Sequence, residues 1–331
     1  MGAPELSREK RSDLTFQLLT GFSSTALGGL VDIAGSQRAI ELNKPYWHHS
    51  GKAAALIAMQ SSPSLVTKDL RGWILMNRLV DAMLRRSRGS WPSRYSLAKQ
   101  GVFVHCPFEN GPPEFCYLFD YVAANGALES FDLDFELLLE ATMAEGAPVC
   151  VFSKIKRFPG NDEVDNIELE TPSPLDIPKE VLDSLTMQYL GEHWVMIARA
   201  IGDYEGREEV LDRVKKRLRE LGQARAGELM KVLGLTERSL ATISAVLGLL
   251  NSLLFQEGEV TGTASGEEKR ISLCPFQDAP GDMCAQFEAF TNGIIDEIDP
   301  QYELVHPEAM CRGSDHCVRS IRERPSTGQE P

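Results

Sequence analysis

Cysteine is the residue type with which this chain could most readily bind a metal or attack a substrate. All seven cysteines lie in two segments, residues 106–150 and 274–317. An odd number of cysteines, without a basic and apolar N-terminal leader, favours metal binding, reactive thiols or buried thiols over a disulfide framework. The two segments are therefore the first candidates for chemistry.

The later segment combines thiols with a carboxylate. Asp282 is a candidate N-cap that places Cys284 in the first turn of a helix, where the helix dipole favours the thiolate. Glu308, Cys311 and Cys317 follow around a compact, glycine-containing turn. Three thiolates and one carboxylate satisfy the tetrahedral coordination of zinc, and a fully ligated site is structural. An iron–sulfur cluster is the alternative, which Glu308 and the lack of a Cys-x-x-Cys pair disfavour.

The earlier segment repeats the later one. Seven residues of the earlier segment have an identical residue 168 positions later, namely Cys106, Pro107, Phe108, Cys116, Phe119, Glu140 and Ala141. Cys150 and Cys317 also match, with a slip of one residue from this offset. The sequence therefore predicts a tandem duplication.

The later segment also resembles a known family. Its order of Cys, about two dozen residues, Glu-x-x-Cys, a short glycine-containing turn and Cys is similar to the 4-vinyl-reductase-type domain. That domain is a small-molecule-binding module of bacterial aromatic sensors and photosynthetic pigment enzymes. The resemblance implies a zinc site formed by Cys284, Glu308, Cys311 and Cys317. The spacing before the last cysteine is shorter than usual, which leaves His306 or His316 as a substitute ligand.

The earlier segment departs from this pattern, because the 168-residue offset places Met143 where Cys311 stands, and a thioether is a poor zinc ligand. Its Cys-Pro-Phe and Glu-Gly-Ala-Pro-Val-Cys motifs resemble the family named for L-2-amino-thiazoline-4-carboxylic acid hydrolase, which implies ring-opening chemistry. An incompletely ligated site could hold a thiolate nucleophile or a metal-bound water. The candidate catalytic residues are His105, Cys106, Cys116, Glu140 and Cys150.

Two alternatives for individual residues stay open. Cys106 and Cys274 could be buried thiols that pack beside proline and phenylalanine, because free cysteine is among the most buried residue types. His49 is a further candidate general base, at a corner where Pro45 is expected to break a helix. His48 and His49 could instead be a partly exposed pair at a helix start.

These segments require a scaffold of helices and short strands. Periodicity predicts helices up to residue 60 and after residue 67, strands at 102–104, 131–139, 149–155 and 271–273, and a polar loop at 256–269. The predicted fold class is α+β, with two tandem homologous units of several helices packed on a small antiparallel sheet. The predicted domains are a first unit at 1–157, an acidic proline-rich linker at 158–180, a second unit at 181–322 and a disordered tail at 323–331.

Composition restricts the partners. A net charge of −14 argues against nucleic acid, and the basic run at 213–219 is interpreted as the solvated face of a helix. The longest apolar run, 245–255, is too short to span a bilayer, so a cytoplasmic protein without a membrane partner is predicted. Helix surfaces rich in glycine and alanine permit a homodimer.

Two functions of different classes follow. The first is a metal- or cysteine-dependent hydrolase or lyase of a small nitrogen- or sulfur-containing heterocycle, with the first unit catalytic. The second is a binding protein in which each unit encloses an apolar cavity for a small aromatic or acyl ligand and zinc is structural. An iron–sulfur protein is a further alternative.

Overall fold

The fold combines helices with two small antiparallel sheets, so the predicted α+β class is confirmed. It is given by a computed structural model, which describes residues 6–61, 68, 70–84, 87–88, 101–106, 108–131, 135–148, 150–156, 178–254, 256–263, 266–280 and 282–325.

In each half of the chain, helices precede the sheet and are inserted between its second and third strands. The first group comprises α1 (Arg8–Ala34), α2 (Ser36–Ser61), α3 (Leu70–Met83), α4 (Pro113–Cys116), a π-helix (Tyr117–Ala123) and α5 (Ala124–Ser130). The second group comprises α6 (Lys179–Gly202), α7 (Arg207–Val232), α8 (Leu240–Leu253) and α9 (Asp282–Ile298).

Both sheets have four strands among the described residues. The first contains β1 (Ser87–Arg88), β2 (Gly101–His105), β3 (Phe135–Ala141) and β4 (Cys150–Lys156), in the order β1-β2-β4-β3. The second contains β5 (Glu257–Thr263), β6 (Gly266–Leu273), β7 (Tyr302–Glu308) and β8 (Cys317–Glu323), in the order β5-β6-β8-β7. All pairings are antiparallel, and the two orders are equivalent.

The chain divides into two compact units that do not follow chain order. The terminal unit contains residues 1–33 and 197–331, and the central unit contains residues 34–196. The predicted boundary at 157 and most of the predicted linker at 158–180 lie outside the described residues. The predicted tail begins later than residue 323, because Glu323 still belongs to β8 and Arg324 binds Asp296.

Helix α1 supplies part of the core of the terminal unit. Phe22 is fully buried, and its ring lies 4.8 Å from that of Phe290 and 6.4 Å from that of Phe287, centroid to centroid. Near the end of α1, Asp32 accepts hydrogen bonds from Arg213 and Arg217 of α7. The basic run therefore forms ion pairs with α1 and is only partly a solvated face.

Glycines bring α7 and α9 into backbone contact. A Cβ atom on Gly222 would lie 2.0 Å from the carbonyl oxygen of Phe290, and one on Gly293 would lie 2.0 Å from that of Arg219. Only glycine permits so close an approach of two helix backbones. The reciprocal contacts fix the position of the two helices along each other.

The central unit uses the same device. A Cβ atom on Gly51 of α2 would lie 1.9 Å from the carbonyl oxygen of Ala123, and one on Gly126 of α5 would lie 2.3 Å from that of His48. The core beside this contact is aromatic, with the fully buried Trp47 among its members. The ring of Trp47 packs on those of His193, Phe115 and Phe119.

In each unit an asparagine binds the outer edge of the last strand in the sheet. Asn125 exchanges two hydrogen bonds with the backbone of Leu137 in β3, at 3.2 and 3.0 Å. Asn292 does the same with Leu304 in β7, at 2.9 and 2.8 Å. The side-chain amide thus satisfies a strand edge that could otherwise pair with another chain.

These bonds correct the sequence register between the two halves. The offset is 167 residues for both asparagines and for their strand partners, one less than the offset that matches Phe119 with Phe287. The π-helix Tyr117–Ala123 accommodates one extra residue between the two positions, because each π-turn closes over one more residue than an α-turn. After it, Met143 corresponds to Met310, and Ala144 corresponds to Cys311.

Two sequence predictions about local structure are wrong. Pro45 lies inside α2, where both Lys44 and Pro45 are exposed, so water can bind the carbonyl that lacks its helical partner. Residues 256–269, predicted as a polar loop, contribute to the β5–β6 hairpin. The hairpin is exposed at many positions, so it lacks the apolar alternation that identifies a half-buried strand.

Helix α1 is long and apolar enough to cross a membrane by length and composition, and it is the one such helix in the described residues. In its most apolar window 72% is buried inside the protein. Buried core helices and N-terminal signal sequences both meet this criterion. The predicted cytoplasmic location therefore stays a prediction.

A charged network links the end of β8 to α7 and α9. Asp296 accepts hydrogen bonds from Arg219 and from Arg324. Burial raises the pKa of Asp296, but the hydrogen bonds and charges of the two arginines together lower it by more. The pKa of Asp296 therefore lies below its ordinary value. Folding therefore favours the ionised form of Asp296.

Replacing Asp296 with asparagine is expected to destabilise the protein by about 1 kcal/mol at pH 7, since Arg219 is half exposed and solvent screens the pair. The stabilisation exists above the pKa of an unfolded aspartate, about 3.9, and is lost as pH falls through the lower folded-state pKa. Urea unfolding of the original protein and of Asp296→Asn between pH 7 and pH 3 measures this stabilisation. The difference between their free energies of unfolding should become smaller as the pH falls.

The neighbouring Glu297→Gln is the control. Glu297 pairs with Arg238, and both side chains are about half exposed or more. This variant should change the free energy of unfolding little at any pH. A difference for Asp296→Asn that stays constant down to pH 3 would show that the carboxylate charge contributes nothing.

Candidate functional site

The cysteines of the later segment lie together in the terminal unit. Helix α9 begins at Asp282, which places Cys284 in its first turn as predicted. Cys284 and Cys311 form a disulfide, with Cα atoms 7.2 Å apart. Both pack against a buried cluster that contains Cys274 and Cys317. Cys274, which was not among the predicted ligands, is thus the fourth cysteine of this group.

Backbone and amide groups hold two of these sulfurs. The Sγ of Cys317 accepts a hydrogen bond from the backbone N–H of Met310 at 3.2 Å. The Sγ of Cys274 accepts one from Nε2 of Gln256 at 3.4 Å. Burial raises the pKa of the Cys274 thiol, and hydrogen bonds offset only part of this effect. The thiol form of Cys274 is therefore favoured near neutral pH.

Glu308 lies apart from the buried sulfurs. Its side chain is 51% exposed, and its Oε2 lies 3.0 Å from Nε2 of His316. His306, the other possible substitute ligand, is buried, and neither ring nitrogen has a hydrogen-bond partner. Burial, followed by the charges of Arg319 and Arg312, lowers the pKa of His306 to about 2, so its ring is neutral.

The described residues contain no group of three or more His, Cys, Asp or Glu side chains placed to hold a metal ion. Of the predicted ligands Cys284, Glu308, Cys311 and Cys317, the cysteines 284 and 311 are bonded to each other and the glutamate lies beside His316. Zinc and the iron–sulfur alternative stay predictions.

The predicted catalytic residues of the earlier segment differ in exposure. Cys106, Cys116 and Cys150 are buried, each with at most 2% of its surface exposed. The Sγ of Cys150 accepts a hydrogen bond from the backbone N–H of Met143 at 3.3 Å, as Cys317 does from Met310. The three cysteines thus have the environment expected of thiols that pack in a core.

The remaining predicted catalytic residues lie elsewhere. Glu140 and His49 are exposed. His105 ends β2, and its side chain is outside the described part of the structure. At the predicted corner, His48 lies 3.1 Å from Glu129, which Lys52 also contacts at 2.6 Å. The histidine pair is partly exposed, as the alternative interpretation expected, but it lies inside α2 and not at a helix start.

A cavity lies between α8 and one face of the second sheet. Ser239 begins α8, accepting a hydrogen bond from the backbone N–H of Thr242 at 3.3 Å, and the helix then packs over β5, β6, β7 and β8. The cavity contains about 420 Å³ of space and is open to solvent, and about 40 Å³ of it can take the centre of a water molecule. Its apolar lining consists of Leu247, Val260, Phe287, Leu304 and Ile321.

Arg319 of β8 is buried at this cavity. Its Nη1 donates hydrogen bonds to Oδ1 of Asn251 at 2.6 Å and to Oε1 of Gln256 at 2.7 Å. The guanidinium carbon lies 4.4 Å from the ring centroid of Phe287, a cation–π contact. Burial lowers the pKa of Arg319 to about 10, so the side chain keeps its positive charge at neutral pH.

Lys269 of β6 lines the same cavity. It lies directly opposite Arg319 in the β6–β8 pair. Burial lowers the pKa of Lys269, and the charge of Arg319 lowers it further. Neither cation was among the residues predicted from the sequence, where cysteine and histidine were the chemical signals. The available signal was a basic residue in the middle of each strand, but only the strand register shows that the two meet.

Comparison with protein-family models, with curated proteins and with solved structures found no match to this chain. The resemblance to the 4-vinyl-reductase-type and thiazoline-carboxylate hydrolase families therefore remains an expectation from sequence motifs.

Proposed function

We propose that this protein binds a small molecule with an apolar part, and that the ligand lies between α8 and the second sheet of the terminal unit. The observation that carries the proposal is a cavity open to solvent whose apolar lining surrounds two cations, Arg319 and Lys269. Val260 supports it, because this large apolar side chain lines the cavity and is 53% exposed. A ligand would cover it.

We also propose that the two sheets and their neighbouring helices arose by duplication. Equivalent strand orders, reciprocal glycine contacts and the paired asparagine bonds support it. The helices that pack with each sheet come from both halves of the sequence, since α1 belongs to the terminal unit and most of α6 to the central unit. After the duplication, the two halves of the sequence would then have exchanged their first helices, α1 and α6.

The cysteine cluster of the terminal unit is proposed to stabilise the end of the sheet next to the cavity. Its support is burial, since Cys274 and Cys317 form a core with Ile271 and Ala309. The predicted hydrolase activity has no comparable support, because the five cysteines outside the disulfide are all buried. It stays a prediction, as does the possible homodimer.

Replacing Gly248 with leucine is expected to abolish ligand binding without unfolding the protein. Gly248 lines the cavity, and a Cβ atom there would meet no other atom within 4 Å, so the new side chain can occupy the space. Leucine should also stabilise α8 by about 0.5–1 kcal/mol relative to glycine. Saturation-transfer NMR with hexanamide and hexanoate as probes measures binding, and thermal unfolding measures stability.

Gly227→Leu is the matched control. Gly227 is an exposed glycine of α7 where a Cβ atom would also meet no other atom within 4 Å, and it does not line the cavity. It should leave the NMR signal of both probes unchanged. If neither hexanamide nor hexanoate binds the original protein at millimolar concentration, the proposed function is contradicted.

A further inference from the structure

Two cations lie side by side at the cavity. Arg319 and Lys269 are cross-strand neighbours in the antiparallel β6–β8 pair, and both side chains line the cavity. Like charges directly opposite each other destabilise a sheet. The arrangement therefore requires something that offsets the repulsion.

The described protein groups around Arg319 do not supply a counter-charge. The two acceptors of its Nη1 are the neutral amides of Asn251 and Gln256. Its Nε is buried and has no hydrogen-bond partner. A buried charge is unfavourable unless it is paired, and an unsatisfied buried donor adds to the loss.

Two acidic residues act on the cations without forming an ion pair with either. Glu267 lines the cavity, its negative charge acts on Lys269, and its carboxylate accepts a hydrogen bond from the hydroxyl of Ser244. Glu288 acts on Arg319 only at longer range. Among the described residues, no carboxylate lies within ion-pair distance of Arg319 or Lys269. The cavity lining thus holds two cations and one carboxylate, which leaves Arg319 without an acidic partner in the lining.

The size of the cavity restricts the anion. The space that takes water centres, about 40 Å³, corresponds to about three water molecules. A carboxylate group fits such a space. The apolar part of the lining, which includes Leu247, Val260 and Ile321, suits an apolar chain attached to that group.

We propose that the ligand is a small monocarboxylate whose carboxylate lies between Arg319 and Lys269 and whose apolar chain lies along α8. This inference rests on the proposed function and specifies the chemical class of the ligand. The planar guanidinium can donate two parallel hydrogen bonds to a carboxylate, which an ammonium group cannot do with the same geometry.

The test compares hexanoate with its neutral amide, hexanamide, by isothermal titration calorimetry on the full chain. The original protein should bind hexanoate roughly thirtyfold more tightly than hexanamide, because only the acid pairs with the buried cation. In Arg319→Met this preference should disappear. Sodium sulfate is added as a third titrant, since preferential binding of sulfate over hexanoate would identify an inorganic anion as the occupant and overturn the proposal.

Arg322→Met is the matched control for the substitution. Arg322 lies on the same strand, is 57% exposed and pairs with Glu303 outside the cavity. It should keep the full preference for hexanoate. If Arg319→Met does not fold, the affinities for hexanoate and hexanamide are compared between the original protein and Lys269→Met. Loss of this one cation should weaken the binding of hexanoate and leave that of hexanamide unchanged.

The outcomes separate this inference from the proposed function. Equal affinities for hexanoate and hexanamide would overturn the carboxylate assignment and leave the ligand cavity in place. Failure of both probes to bind the original protein would overturn both. A strong preference for hexanoate that survives in Arg319→Met would also overturn the role of Arg319.

Discussion

Replacing Gly293 with alanine is expected to destabilise the protein by about 3 kcal/mol, at the upper end of what overpacking usually costs. The new Cβ atom would lie 2.0 Å from the carbonyl oxygen of Arg219 and 2.8 Å from its carbonyl carbon. These are backbone atoms, so no side-chain rotation relieves the clash. Helices α7 and α9 would have to separate along the contact. Urea unfolding followed by circular dichroism measures the loss.

The same exchange at Gly227 is the control. This glycine also lies inside α7, but no atom is within 4 Å of its Cβ position. Alanine there should be neutral or stabilising by up to about 1 kcal/mol, since alanine is the better helix former. A destabilisation by Gly293→Ala no larger than the change at Gly227 would contradict the close approach of the helices.

Replacing Phe22 with alanine is expected to destabilise the terminal unit by about 3–5 kcal/mol. The side chain is fully buried in α1 and makes edge-to-face contacts with Phe287 and Phe290 of α9. Removal leaves a cavity that the two rings cannot fill without moving α9. Thermal and urea unfolding measure the loss.

Phe22→Leu is the control, because leucine keeps most of the side-chain volume and stays apolar. It should cost clearly less than Phe22→Ala, because the residual cavity is smaller. Equal and small effects of both variants would show that α1 does not contribute to the core of the terminal unit.

Much of the architecture could be predicted from the sequence because it depends on local signals. The strands leading into Cys106 and Cys274 were predicted at the short runs 102–104 and 271–273, and β2 and β6 contain them. The α+β class follows from helices that alternate with such runs. The first turn of α9 was predicted from Asp282, because an acidic residue near the start of a helix is a local feature.

Features that depend on tertiary packing could not be predicted. Pro45 normally interrupts a helix, but solvent exposure permits it within α2. The β5–β6 hairpin is polar on much of its surface, so its pattern resembles a loop. Glu140 and Glu308 matched at an offset of 168 residues in sequence, whereas the strand pairing places Ala141 and Glu308 in equivalent positions opposite Val151 and Val318.

The candidate site shows the same division. The clustering of Cys284, Cys311 and Cys317 could be predicted from their order along the chain, and the structure brings them together. The pair of Arg319 and Lys269 could not, because a slip of one residue in the β6–β8 register would turn one of the cations to the other face. Sequence spacing carries no information about that register.

The position of α1 has a consequence for biosynthesis. Asp32 and its partner Arg213 are 181 residues apart. At roughly 5–20 residues per second, a ribosome needs roughly ten to forty seconds to make α7 after α1 has been completed. Throughout that time the nascent chain carries a 27-residue apolar helix whose docking surface does not yet exist. Helix α1 is made well before the helices that bury it, and chaperones or lipid surfaces can compete for it until α9 has been synthesised.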